Sequence, residues 1–70
     1  MAKPKIQSVI DGTDSPHYKF VPSSDFYKKT GINRIRFAKI YKGEKAPLLH
    51  EVEALSRELG IPIKNFLNLN

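Results

Sequence analysis

Three glycines, Gly31, Gly43 and Gly60, each close a short amphipathic segment, and this punctuation constrains the fold of the chain more than any other feature. Ser23 or Ser24 can cap a helix through Asp25-Phe26-Tyr27-Lys28-Lys29-Thr30, which Gly31 ends in the left-handed conformation. Asn33 supplies a second N-cap before Arg34-Ile35-Arg36-Phe37-Ala38-Lys39-Ile40-Tyr41-Lys42, closed by Gly43. Pro47 extends or ends structure before a third stretch, Leu48 to Leu59, whose Leu49, Val52, Leu55, Ser56 and Leu59 form an apolar stripe. Gly60 stops that segment. Pro62 then sits near the first turn of a final short helix, with Ile63, Phe66 and Leu67 expected to face inward and Asn68-Leu69-Asn70 expected to fray.

Residues 1–22 follow a different grammar. Two short apolar segments, Ile6 to Ile10 and Tyr18 to Val21, flank the turn-forming cluster Asp11-Gly12-Thr13-Asp14-Ser15-Pro16. The β-branched residues suit a hairpin. Ile6, Val9 and Ile10 also stand at i, i+3, i+4, the spacing of a one- or two-turn helix ending at Gly12. The expectation leans to an irregular or β-hairpin N-terminal segment, with the short helix as the alternative. The whole is expected to be mainly α: a small bundle of four to five short helices, with residues 23–67 as its functional domain.

A chain of 70 residues buries a modest share of its surface, so a second copy is a natural way to add stability. Cysteine is absent, which excludes disulfides, thiolate metal sites and thiol redox chemistry. No apolar run approaches the roughly 20 residues of a membrane span, and the start of the chain lacks the charged-then-apolar layout of a signal peptide, so a soluble cytoplasmic protein is expected. His17 and His50 lie far apart without carboxylates at ligand spacing, and no serine has a paired base, so neither a metal site nor catalysis nor a cofactor is expected.

The net charge of +5 is unevenly placed. Residues 1–22 carry +1 and 48–70 carry −1, whereas 23–47 hold Lys28, Lys29, Arg34, Arg36, Lys39, Lys42 and Lys45 against Asp25 and Glu44, a net +5. Such a field attracts polyanions, although a solvated lysine-rich face gives the same composition. Within 34–42 the residues divide by side: Phe37, Ile40 and Tyr41 on one, Arg34, Ile35, Ala38, Lys39 and Lys42 toward another. Two short helices across a tight glycine-containing turn, the second basic outside and apolar inside, form a helix-turn-helix pattern suited to the DNA major groove.

The run from Lys29 to Pro47, continued without a gap by Leu48 to Leu67, resembles the Cro and phage-repressor type of helix-turn-helix domain, the xenobiotic-response-element family. The turn glycine, Gly43, Pro47 and the Leu59-Gly60-Ile61 step fall at family spacing. Tyr27 departs from the pattern, standing where the family has a small residue, which would push the helices apart or turn the ring outward. The resemblance implies a lambda-repressor-like fold and a transcription regulator from a bacterium or mobile element, associated with the nucleoid. It implies that Arg34, Ile35, Ala38 and Lys39 face base edges and that Asn33, Arg36, Lys42 and Lys45 meet phosphates. Ile35 has packing as its alternative role, Tyr41 is expected to pack, with phosphate contact as its alternative, and Lys28 and Lys29 are expected to be solvated. Double-stranded DNA is the expected partner, read by a homodimer, with the N-terminal segment or the stretch from Phe66 to Leu69 as the dimer surface. Two other functions fit the same basic strip: a helical protein-interaction module of antitoxin or adaptor type, and binding of structured RNA.

Overall fold

A computed structural model describes residues 3–67. Five helices follow one another: α1 (Lys5–Asp11), α2 (Ser24–Thr30), α3 (Arg34–Tyr41), α4 (Leu49–Leu59) and α5 (Ile63–Leu67), with no strand among the described residues. The architecture is therefore a small helical bundle, as expected. The fraying expected of 68–70 lies outside the described residues.

The N-terminal segment corrects the hairpin expectation. Residues 5–11 form a helix, and Gly12, at φ 75°, caps it by donating its N–H to Ser8 and Val9 carbonyls. Ile6 and Ile10 are buried by this helix in the common core, with Val9 packed beside them. A two-stranded hairpin would have been marginal without a third strand or a helix to cover it, whereas one helical turn buries two isoleucines at once. The partner segment around Tyr18–Val21 is irregular, and its Phe20 N–H donates to the Asp11 carboxylate at 2.9 Å instead of to a strand.

The remaining boundaries follow their caps. Ser23 accepts from the Phe26 N–H, and Gly31 ends α2 at φ 72°. The Thr30 hydroxyl donates to the Phe26 carbonyl at 2.9 Å and accepts from the Ile32 N–H, which satisfies the polar groups of the turn while Ile32 is buried. α2 packs on α4, α1 on α3 and α5, and α4 on α5. At the centre lie Ile40 and Leu55, both fully enclosed. Around them Phe26 meets Phe20 and Phe37 edge-on with ring centroids 5.2 and 5.3 Å apart, a geometry aromatic quadrupoles favour.

Four of the five positions expected in the α4 stripe face inward, Val52 and Leu55 buried and Ser56 and Leu59 half-buried, and Leu49 is the exception. Glu51, Val52, Ala54 and Leu55 are buried, whereas Leu49 is 68% exposed. At 100° per residue the buried set centres near positions 51 and 55, which leaves position 49 roughly 140° away. Glu51, on this buried side, pairs with Arg36 of α3. In α5 only Phe66 is buried; Ile63 and Leu67 are exposed rather than inward, because five residues give a single face one deep position.

Candidate nucleic-acid interface

The basic residues of the middle third meet at α3. Asn33 starts this helix by accepting the Arg36 N–H at 2.7 Å, and Ile32, just before it, is locked in the core. Phe37, Ile40 and Tyr41 fasten the inner face. The opposite side carries Ile35 and Lys39, both exposed, with Ala38 half-buried between the two faces, while Arg34 is exposed at the leading end of the helix, on the side that faces Tyr27. Ile35 is 71% exposed, so it is a surface side chain and not part of the core. Tyr41 takes the packing role.

Of the residues expected at phosphates, Asn33, Lys42 and Lys45 are exposed, and Arg36 is in a different situation. Its guanidinium makes a two-pronged contact with Glu51, Nε to Oε2 at 2.5 Å and Nη2 to Oε1 at 2.8 Å. Glu51 Oε1 also accepts the Leu48 N–H at 2.7 Å, so one carboxylate joins α3 to the start of α4. Arg36 holds the Glu51 carboxyl below its ordinary range against the opposing effect of burial, and the Leu48 N–H adds to the lowering. The same hydrogen bonds push the Arg36 guanidinium above its ordinary value. Arg36 thus positions α3, and its charge is already matched by an acid. Asn33, Ile35, Arg36, Lys39 and Lys45 line one shallow recess beside α3.

Other pairings sort the remaining cations. Lys29 meets Asp25 across one helical turn, Arg57 meets Glu58 and reaches the Lys29 carbonyl, and Lys3 is buried against Asp11. Arg34, Lys39, Lys42 and Lys45 have no acidic partner within salt-bridge distance among the described residues. Arg34 instead lies over the Tyr27 ring, 5.7 Å from its centroid.

Sequence reasoning gave no part to Glu51, read Asp11 only as a turn former, and marked Tyr27 only as a departure from the family pattern. Glu51 carried a legible signal, an acid three residues after the position that precedes a helix, where its side chain returns to the backbone. Asp11 read as a turn former but is buried at the end of α1, accepting from Tyr41 Oη at 2.7 Å, from Phe20 N–H and from Lys3. Tyr27 does not turn fully outward: half-buried, its ring stands edge-on to Phe26 and Phe37 at 5.9 and 6.0 Å.

No helix among the described residues is long and apolar enough to cross a membrane. Comparisons with family models, curated proteins and solved structures found no match to this chain.

Proposed function

We propose that this chain binds double-stranded DNA with sequence preference, as a transcription regulator, by setting α3 into the major groove. The observation that carries the reading is the division of α3: an apolar face of Phe37, Ile40 and Tyr41 anchored in the core, exposed Ile35 and Lys39 opposite it, and Arg34 exposed at the leading end. An α-helix with its side chains is about 10–12 Å across and the major groove about 12 Å wide, so α3 fits the groove in cross-section. The first turn of α3 contains no acid, and of its two arginines Arg36 is matched by Glu51, so Arg34 is left as an unmatched cation at the positive end of the helix dipole. That arrangement disfavours the free protein and is relieved by a polyanion.

In this reading Arg34 donates to guanine O6 and N7, Ile35 and Ala38 pack on thymine methyl groups, and Lys39 reaches a neighbouring base. Asn33, Lys42 and Lys45 hold phosphates, while Arg36 fixes the helix through Glu51. One copy reads few base pairs, so two copies on a pseudo-palindromic site spaced by a helical turn give useful specificity. The likeness to Cro and phage-repressor type domains belongs to the same proposal, and so does a place of action at the nucleoid in the cytoplasm.

Selection of duplexes from a random pool tests the reading directly. A preferred motif should emerge, and Arg34→Ala and Lys39→Ala should each cost about 1–3 kcal/mol of specific binding without lowering Tm. Equal affinity for duplex DNA, structured RNA and heparin would instead mean that α3 reads no bases; preference for folded RNA or for an acidic protein would favour those partners.

A further inference from the structure

We infer that Tyr27 is a positioning residue for base reading: its ring holds the Arg34 guanidinium at the leading end of α3 and thereby sets how Arg34 meets a base edge. The inference rests on α3 being the groove-entering helix. Arg34 is the first residue of α3, exposed, and 5.7 Å from the centroid of the Tyr27 ring on α2. The ring itself is fixed, half-buried and edge-on to both Phe26 and Phe37, which belong to the core. A guanidinium is attracted to an aromatic face by the ring quadrupole within about 6 Å.

The nature of the restraint matters. Arg36, two residues on, is held by a carboxylate, which matches its charge and occupies its hydrogen-bonding edge. A ring face restrains Arg34 without neutralising it and leaves its in-plane N–H groups able to donate. Restriction of a long side chain before binding removes part of the ordering cost that docking otherwise carries. The backbone is set independently, by the Asn33 cap and the buried Ile32, so the ring decides only the side chain's direction. The Tyr27 hydroxyl has no part in the contact, so phenylalanine should serve equally well.

The test compares Tyr27→Phe with Tyr27→Leu, which keeps an apolar side chain and removes the π face. In the free protein, NMR of the Arg34 Nε–Hε group should show a ring-current shift that persists in Tyr27→Phe and disappears in Tyr27→Leu; its absence from the wild type refutes the contact itself. On the duplex selected above, Tyr27→Leu should lower discrimination at the Arg34-dependent base pair about 2- to 5-fold while leaving binding to unrelated duplex unchanged. In an Arg34→Ala background the same substitution should have no further effect on discrimination. Equal losses on both duplexes, or an undiminished effect in that background, overturn the positioning role. If the ring-current shift is present but selection yields no preferred duplex, the groove reading of α3 fails, and the base-reading role falls with it.

Discussion

Asp11 holds residues 3–22 onto the helices that follow, and its removal should be the most damaging single polar substitution among the described residues. Its carboxylate accepts from Tyr41 Oη at 2.7 Å and from the Phe20 N–H at 2.9 Å, and Lys3 Nζ contacts the other oxygen. The Asp11 side chain is fully enclosed and that of Lys3 is 7% exposed, so water cannot readily replace the lost partner. A hydrogen bond to a charged group contributes about 1.5–3 kcal/mol, and a buried donor left alone costs about 1–3 kcal/mol. Asp11→Ala strands the Phe20 N–H and the Tyr41 hydroxyl and leaves Lys3 uncompensated; after relaxation the loss should be about 3–4 kcal/mol. Tyr41→Phe removes one donor while the carboxylate keeps the other contacts, so about 1–2 kcal/mol is expected. For a domain this size that corresponds to roughly 5–15 °C in Tm. Urea denaturation of wild type, both single variants and the double variant measures the coupling, which should be about 1–2 kcal/mol. If Asp11→Ala costs under about 0.5 kcal/mol, or if the two substitutions add without coupling, the enclosed network does not hold the N-terminal helix as described.

The same network gives a pH dependence at both ends. Burial pushes the Asp11 carboxyl up, but Lys3, Tyr41 and the Phe20 N–H outweigh it and leave the group below its ordinary value. The protein should therefore keep this stabilisation above the unfolded carboxyl range and lose it as pH falls through the lower folded value, an acid limb that Asp11→Asn flattens in pH-scanned melts. Burial first, then the Asp11 hydrogen bond, raise the Tyr41 hydroxyl to about 12. Its share of stability is complete below the unfolded tyrosine range and declines as pH rises toward the folded value, and Tyr41→Phe should remove that alkaline limb. In the core, Leu55→Ala should cost about 2–5 kcal/mol in urea melts and Leu49→Ser under about 0.5 kcal/mol; similar losses would contradict the rotation of α4. Because Arg36 is matched by Glu51, Lys42→Ala and Lys45→Ala should each reduce the slope of log affinity against log salt by about 1, whereas equal reduction by Arg36→Ala would mean that the arginine leaves Glu51 for a phosphate.

The helices from α2 onward were legible because their boundaries are set locally. Ser23, Asn33, Gly31 and Gly60 act on backbone groups within a turn of themselves, and those interactions are encoded in neighbouring residues. The inner face of α3 was legible for a similar reason, since Phe37, Ile40 and Tyr41 recur at helical spacing. The N-terminal segment was misread because its choice between strand and helix is made by distant partners: Asp11 gains Tyr41, thirty residues away, and Ile6 and Ile10 gain a core assembled from the later helices. The identities of the exposed α3 side chains were likewise visible, but their electrostatic condition was not. Arg34 and Arg36 look alike in sequence, and only the fold gives one a ring and the other a carboxylate.

That difference changes what the charge of the middle third means. In sequence, seven cations against two acids are compatible with an ordinary solvated face. In the fold, Lys29 and Arg36 are matched by acids, while Arg34, Lys39, Lys42 and Lys45 on or beside α3 lack an acidic partner among the described residues. A surface selected only for solubility gains by mixing signs, because interspersed acids reduce self-repulsion at no cost to hydration. Here Glu51 is spent on orienting the helix, and the exposed Ile35 stands among the unpaired cations. On the proposed reading, Ile35 meets thymine methyl groups while the cations around it meet the phosphates at the edges of the major groove.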